Sequence, residues 1–261
     1  MQIFEKNNLK YYCFESFSSL NIPHGFFSRI GGCSPVPWNT LNMATSVGDS
    51  QSNVINNRNK ILTTLNRSEN SIFDSWQVHG NAVLISNEPR KIHETHKRGD
   101  GIVTDNSSVT LMMLFADCVP IFLFDPRHHV VAIAHAGWQG TVNRISESVV
   151  KTLVTHFETR PCELVIGIGP SIGVDHYEIG LDVKSEVESK LGIIARKSLR
   201  LVNKRTYFDL WYANQAILQE LGILRIEVAN ICTACDTTTW FSHRGENGKT
   251  GRFAGVLGLP E

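Results

Sequence analysis

The chain has 261 residues, of which 42% are hydrophobic and 19% are charged, as in an ordinary globular protein with an ample core. Its 25 basic and 25 acidic residues give a formal net charge of zero, which argues against nucleic acid or an anionic membrane surface as the main partner. A small or neutral substrate suits this balance better.

No apolar run approaches the ~18 residues of a membrane span. The first residues, Met1 to Lys10, also lack the unbroken apolar run of a signal peptide. We therefore expect a cytoplasmic protein. Its six cysteines are then expected to be free thiols or metal ligands rather than a disulfide framework.

Short apolar runs alternate with fewer helical patterns along the chain. In chain order the predicted elements are a helix over Asn53–Leu65, a strand over Ala82–Ser86, three strands over Val109–Phe115, Val119–Phe124 and Val130–Ala134, a helix over Val142–Phe157, a strand over Leu164–Gly169, a helix over Leu210–Leu221 with Asp209 as its N-cap, and a strand over Ile226–Ile231. The order from Val130 to Gly169 indicates a crossover connection. No repeat or linker divides the chain, so we predict a compact single α+β domain over residues 1–261, with mixed β-sheets flanked by helices.

A hairpin is predicted around the turn signal Asp125-Pro-Arg-His128. A symmetric hairpin closed there pairs Phe124 with His129, which places Cys118 opposite His135. Directly opposed Cβ atoms lie roughly 4.5–5.5 Å apart, close enough for both side chains to hold one metal ion or to form a thiolate–imidazole pair. A register shift of one residue would break this pairing.

A third candidate ligand is His79, which precedes the strand predicted from Ala82. The neighbouring Gly80 is expected to permit close backbone approach. Zinc accepts Cys and His, and three protein ligands with a vacant fourth position are the catalytic arrangement, so His79, Cys118 and His135 are a candidate zinc set. A lone histidine beside a strand is more often an ordinary hydrogen-bonded residue, so the spacing alone is weak support. Asp100 either orients a ligating histidine or stabilises its own turn.

The remaining motifs are less specific. The pair Cys232-Thr-Ala-Cys235 has no second ligand pair at suitable spacing and no obvious following helix, so we interpret its CxxC spacing as incidental. The segment from Gly167 to Gly173 is interpreted as a strand-to-loop turn rather than a dinucleotide fingerprint. Arg29 and Arg244 each lie beside a flexible glycine turn, where an arginine either binds an oxyanion or is simply solvated.

Taken together, the motifs resemble the YfiH/laccase-domain family, whose members are described as purine nucleoside phosphorylases and earlier as polyphenol oxidases. The resemblance runs from about His24 to Leu257. It is carried by His24-Gly-Phe-Phe-Ser-Arg29, Thr40-Leu-Asn42, Asn57-Arg58, Gln77-Val-His-Gly80, Gly99-Asp-Gly-Ile-Val-Thr104, Ala116-Asp-Cys-Val-Pro120, His135-Ala-Gly-Trp138, Gly169-Pro-Ser-Ile-Gly173, Phe241-Ser-His-Arg244 and Thr250-Gly-Arg252. Gln139 and Gly245 stand where relatives often carry arginine.

The resemblance implies that His79, Cys118 and His135 are zinc ligands. It also implies phosphorolysis of adenosine, inosine and methylthioadenosine, together with deamination of adenosine, so that the partners are a nucleoside and phosphate. The residues expected to contact substrate or phosphate are Arg29, Asn42, Arg58, Gln77 and Arg244, with Arg252 as a further candidate.

Other functions stay open. Copper-dependent phenol oxidation is one, because a His2Cys set also suits type 1 copper, although the ten histidines include no His-x-His pair for an oxygen-reducing cluster. A cysteine hydrolase is another, with Cys118 as nucleophile and His135 as base, which leaves His79 without a role. Family members have also been linked to editing of peptidoglycan precursors.

Overall fold

The computed structural model describes residues 1–91 and 93–260, in which fifteen strands and seven α-helices form. The strands are β1 (Gln2–Lys6), β2 (Leu9–Cys13), β3 (His24–Phe27), β4 (Ile72–Phe73), β5 (Val83–Ile85), β6 (Gly101–Thr104), β7 (Thr110–Phe115), β8 (Val119–Asp125), β9 (Val130–Ala136), β10 (Val165–Ile168), β11 (Glu178–Ile179), β12 (Leu199–Val202), β13 (Arg205–Phe208), β14 (Arg225–Val228) and β15 (Phe253–Gly258). The helices are α1 (Glu15–Ser18), α2 (Gln51–Thr64), α3 (Trp138–Val142), α4 (Ile145–Phe157), α5 (Leu181–Leu191), α6 (Ile193–Ser198) and α7 (Leu210–Glu220).

The strands form two large mixed sheets and one small one. The first sheet has the order β1-β2-β3-β15-β7-β4, the second has β14-β10-β8-β9-β6-β5, and the third has β11-β13-β12. Both large sheets contain parallel and antiparallel pairs. Strands β9 and β10 run parallel with β8 between them, so the predicted crossover is present. The mixed α/β architecture predicted from the sequence is confirmed.

The central strands β8 and β9 are buried on both faces, which explains why their sequences are continuous apolar runs. Along β8, Ile121 and Leu123 pack in the core between the second sheet and the helices, whereas Phe122 and Phe124 pack in the core between the two large sheets. Along β9, Ile133 likewise faces the first sheet. Helix α2 covers the other face of the first sheet. The layers are therefore helix, sheet, sheet and helices.

The hairpin between β8 and β9 has a different register from the predicted one. Phe124 pairs with Val131 and Pro120 with His135, so the predicted pairs of Phe124 with His129 and of Cys118 with His135 are wrong. The register error is two residues, because the hairpin closes at Asp125 and Val130, each one residue later in the chain than the predicted closing pair of Phe124 and His129. A shift of two keeps every side chain on its original face. Cys118 and His135 are consequently diagonal neighbours on the face between the two large sheets.

The predicted helix over Val142–Phe157 is also different in the structure. It is divided into α3 and α4 at Arg144, whose φ of 57° is left-handed and ends regular helical geometry. The N-cap predicted for the last helix is confirmed, because the Asp209 side chain accepts a hydrogen bond from the backbone N–H of Tyr212.

No helix among the described residues is both long and apolar enough to cross a membrane. The single domain over residues 1–261 stays a prediction.

A buried histidine at the start of β3 fixes the path of the chain before α1. The Nε2 atom of His24 accepts a hydrogen bond of 2.8 Å from the backbone N–H of Phe14, so Nδ1–H donates to the carbonyl of Ile22 at 2.7 Å. This ring is 3% exposed and neutral. Burial lowers the pKa of His24 to about 4, below its ordinary value of 6.5, because the charged form would lose its hydration.

We expect the metal-free protein to lose about 3 kcal/mol of unfolding free energy between pH 7 and pH 4 through His24 alone. The unfolded chain takes up a proton as the pH falls through 6.5, whereas the folded chain resists until about pH 4. Urea unfolding in the presence of a chelator measures this change. The control is His24→Gln, which keeps an acceptor for Phe14 and does not titrate. An equal pH slope for both proteins would contradict the assignment.

Candidate metal centre

Three ligand-type side chains from separate parts of the chain meet at one edge of the space between the two large sheets. His79 comes from the loop before β5, Cys118 immediately precedes β8, and His135 lies in β9. One ligand atom from each lies within 4.8 Å of the other two. His135 is buried, Cys118 is half-buried and His79 is exposed, so the group is open on the side of His79. The geometry allows the three to hold one metal ion.

A buried carboxylate organises two of these three residues. Asp100 is fully buried and accepts hydrogen bonds from the backbone N–H groups of Val78, His79 and Gly80 at 3.1, 2.9 and 2.8 Å. It also accepts a bond of 2.8 Å from Nδ1 of His135. This bond leaves Nε2 of His135 free to bind a metal. Asp100 therefore orients a histidine and stabilises a turn, the two roles that the sequence left open.

The charges in this group support one another. Burial alone would raise the pKa of Asp100, but the hydrogen bonds from His135 and from the backbone N–H groups hold it below its usual value. Burial likewise opposes ionisation of Cys118, but the neighbouring His135 and His79 lower the pKa of its thiol. The Cys118 thiolate and the Asp100 carboxylate in turn raise the pKa of His135 against the effect of burial. A thiolate is the form of cysteine that binds metals.

Backbone geometry brings the ligands together at two places. His79 has a φ of 60°, which is uncommon for a residue with a side chain and costs on the order of 1 kcal/mol. Three bonds to Asp100 hold this conformation. Gly137 lies so close that a Cβ atom there would be 2.9 Å from Sγ of Cys118 and 3.1 Å from Cδ2 of His79. At Gly80 a Cβ would meet nothing nearer than 3.6 Å, so the predicted close approach occurs at Gly137 instead.

The three residues line a cavity of about 580 Å³. Its walls also carry aromatic rings, two further histidines, two carboxylates and three arginines: Trp76, Tyr177, His96, His243, Asp74, Asp117, Arg58, Arg244 and Arg252. No role was predicted from the sequence for Trp76, Tyr177 or His243.

Two of the predicted substrate contacts lie outside this cavity. The Arg29 guanidinium is buried, donates to the carbonyls of Asn39 and Thr237, and pairs with Glu246 at 2.8 Å. The Asn42 side chain is fully buried, donating to Asp49 and accepting from the backbone N–H of Arg252. Their polar atoms are committed to protein partners, so we withdraw both as substrate contacts and assign them to holding the loops together.

Gln77 and Arg58 do line the cavity, but each is engaged with the protein. The amide of Gln77 donates to the carbonyl of Leu114 at 2.9 Å and accepts from its N–H at 3.0 Å, as a neighbouring strand would. Arg58 pairs with Asp74 at 3.1 Å and donates twice to the carbonyl of Met43.

The other two arginines lack such a partner. Nη1 of Arg244 donates to the carbonyl of Glu178 at 3.0 Å, and Nη1 of Arg252 donates to the carbonyl of Gly251 at 2.9 Å. Within residues 1–91 and 93–260, no carboxylate lies at ion-pair distance from either guanidinium. Burial lowers the pKa of Arg252, and the negative charges of Cys118 and Asp117 partly offset this. Arg252 is therefore a cation facing the ligand group.

Asp117, which sequence reasoning passed over, connects the centre to the C-terminal loops. Its buried carboxylate accepts hydrogen bonds from the hydroxyls of Thr233 and Ser242 at 2.6 and 2.7 Å and from the backbone N–H of Arg244 at 2.6 Å. Its φ is 83°, again in the left-handed region. The residue adjoins Cys118, so the same turn positions the thiol and the cavity wall.

Comparison with known proteins finds one matching family model and relatives that share one name. A family model described as "Multi-copper polyphenol oxidoreductase laccase" matches residues 23–260. The purine nucleoside phosphorylase YlmD of Bacillus subtilis and a purine nucleoside phosphorylase of Deinococcus radiodurans are each 34% identical to the chain. These alignments cover 91% and 93% of this chain and 88% and 91% of the relatives.

Two solved structures have the same fold. The protein YfiH of Bacillus licheniformis and YlmD of Geobacillus stearothermophilus both give a TM-score of 0.92, at 29% and 30% identity. Each comparison covers 99% of this chain, and they cover 99% and 98% of the two neighbours. The mixed-sheet fold expected from the family resemblance is thus confirmed.

We expect Gly137→Ala to weaken zinc binding about 10- to 100-fold, because relieving the contact with Cys118 costs about 1–3 kcal/mol of ligand geometry. Competition with a chromophoric chelator measures the zinc affinity. The matched control is Gly80→Ala, which adds the same atom beside His79 at ordinary contact distance. Equal losses in the two variants would show that the packing at Gly137 does not set the ligand geometry.

Proposed function

This chain belongs to the family whose model is described as a multi-copper polyphenol oxidoreductase laccase, and we propose that it is a zinc-dependent purine nucleoside phosphorylase that also deaminates adenosine. The observation that carries the proposal is the position of His79, Cys118 and His135 in a cavity that also holds two arginines, Arg244 and Arg252, with no carboxylate partner among the described residues. The names of the relatives support nucleoside phosphorolysis. We further propose that methylthioadenosine and inosine are substrates and that the protein acts in the cytoplasm.

The donor set favours zinc. One thiolate and two imidazoles suit zinc, and the orientation of His135 by Asp100 is typical of metal-binding histidines. A zinc ion held there supplies a Lewis acid beside the substrate. Copper remains compatible with one such set, but a multicopper oxidase needs several His-x-His pairs, and the sequence has none.

Phosphorolysis requires an anion site next to the ribose. A phosphate oxygen forms a bond to C1′ as the bond between C1′ and the purine nitrogen breaks, and the departing purine takes up a proton. Arg252 and Arg244 are our candidates for the phosphate, since guanidinium groups bind phosphate through paired N–H donors. Arg58 is a weaker candidate because its guanidinium is already paired with Asp74, a carboxylate that Arg90 also contacts.

The purine itself needs an apolar surface. Trp76 is 53% exposed and lines the same cavity as Tyr177. Aromatic faces of this kind stack on nucleobases. We propose that these two rings bind the base and that the arginines bind the phosphate.

A cysteine hydrolase is the second candidate. Cys118 is hydrogen-bonded to His135, and His135 is hydrogen-bonded to Asp100, as a nucleophile, a base and an orienting carboxylate are in such enzymes. A cysteine hydrolase mechanism gives His79 no role beside the thiol. The same holds for a cysteine hydrolase that edits peptidoglycan precursors. The close approach of His79 therefore favours the metal enzyme.

Purified protein is expected to form inosine from adenosine without phosphate, and adenine only when phosphate is present. Cys118→Ala should abolish both reactions, with a fall of at least about 100-fold, while the unfolding free energy changes little. Product chromatography measures both reactions, with and without removal of metal by a chelator. Full activity in the chelated protein or in the variant would exclude the zinc mechanism.

Arg252→Met should raise the KM for phosphate about 10- to 100-fold, the loss expected for one charged hydrogen-bonding partner. Deamination of adenosine, which needs no phosphate, should be nearly unchanged. Arg160→Met, at an exposed position outside the cavity, serves as the control. An unchanged KM for phosphate would remove Arg252 from the anion site.

A further inference from the structure

We propose that His176, Cys232 and Cys235 form a second metal site, which takes zinc and serves to hold two loops together. This site lies outside the candidate metal centre and is independent of the proposed function. No partner for the CxxC pair could be predicted from the sequence, because His176 is more than fifty residues away along the chain. The fold brings all three ligand atoms within 4.8 Å of one another.

The distances match those of a tetrahedral zinc site. Nδ1 of His176 lies 3.7 Å from Sγ of Cys232 and 3.6 Å from Sγ of Cys235. With zinc bonds of about 2.3 Å to sulfur and about 2.05 Å to nitrogen, tetrahedral geometry separates the two ligand atoms by about 3.6 Å. A single hydrogen bond would explain the approach of one sulfur to Nδ1, whereas a shared metal explains both. Two thiolates and one imidazole are ligands that zinc prefers.

The backbone around Cys232 is arranged to support a thiolate. The N–H of Gly173 donates to Sγ of Cys232 at 3.2 Å. A Cβ at Gly173 would lie 3.2 and 3.3 Å from the Cβ and Sγ atoms of Cys232, so the absence of a side chain permits this approach. Ser171 and Cys232 form a parallel bridge that holds the two loops in register. Backbone donors to a ligating sulfur are a typical supporting shell of metal sites.

A redox disulfide is less consistent with this geometry. The reactive cysteine of a thioredoxin-type CxxC pair lies at the N-terminus of a helix, which lowers its pKa. Here Cys232 lies at the bridge to Ser171 and Cys235 lies in the turn that follows it, so neither cysteine is in a helix. Both thiols are free, and a histidine faces them together.

The site would brace one wall of the cavity. Nη1 of Arg244 donates to the carbonyl of His176 at 3.4 Å, and the guanidinium lies 5.3 Å from the ring centre of Tyr177. On the other loop, Thr233 follows Cys232 and donates to Asp117 at 2.6 Å. Cys235 and His176 are exposed, so a fourth ligand position faces solvent. A metal bound there joins the two loops that place Arg244 and Tyr177.

The test is zinc stoichiometry and cobalt titration under reducing conditions. The wild type should hold two zinc ions per chain, Cys235→Ser should hold one, and Cys162→Ser, which removes an exposed cysteine elsewhere, should hold two. After metal removal, Co2+ added to Cys118→Ala should give a thiolate-to-cobalt charge-transfer band. That band should disappear in the double variant with Cys118→Ala and Cys235→Ser.

Equal zinc content in Cys235→Ser and wild type would overturn the proposal. So would the lack of a cobalt band in Cys118→Ala, or a disulfide between Cys232 and Cys235 whose reduction yields no metal binding. If the candidate metal centre binds no zinc, the result is different. The wild type and Cys118→Ala would then each hold the zinc of the second site, and Cys235→Ser would hold none.

Discussion

The arrangement of the candidate metal centre depends on one buried carboxylate. Asp100 precedes the first residue of β6, and it joins the loop of His79 to the strand of His135 through four hydrogen bonds. Burying a carboxylate without partners would cost several kcal/mol, so the fold is strongly constrained to supply these donors. The same donors fix the left-handed backbone of His79 and the ring orientation of His135. Geometry and charge at the centre therefore have one common cause.

A second carboxylate, Asp117, extends this order to the far side of the cavity. It joins the turn that carries Cys118 to the loops of Thr233, Ser242 and Arg244. The two aspartates thus hold different sets of loops beside the three ligand-type residues.

Sequence reasoning recovered the central part of the molecule because its signals are local. Apolar runs located β7 to β10, periodicity located α2 and α7, and the ligand trio followed from residue types at strand ends. The hairpin register was wrong by two residues, but an even shift preserves the faces of a strand, so Cys118 and His135 still meet, and their role as ligands stays a prediction. The approach of Gly137 to Cys118 and of His176 to the CxxC pair involves long-range loop packing, which no local pattern encodes. For the same reason the N-terminal strands and β15 were not predicted.

The arginines differ in their ion-pair partners, and these partners could not be predicted from the sequence. Arg29 was one of the phosphate candidates from its motif, but Glu246 pairs with it and the ring of Phe241 lies 4.5 Å from its guanidinium. Arg58 is likewise paired with a carboxylate, Asp74, which Arg90 also contacts. Arg252 is half-buried, and within the described residues its guanidinium donates to carbonyl groups and lies in the field of Cys118 and Asp117. A desolvated cation is costly unless a negative charge accompanies it, and metal binding to the thiolate would remove part of that charge. The positive potential left in the cavity would then be balanced by an anionic ligand, which is the physical reason for assigning this wall to phosphate.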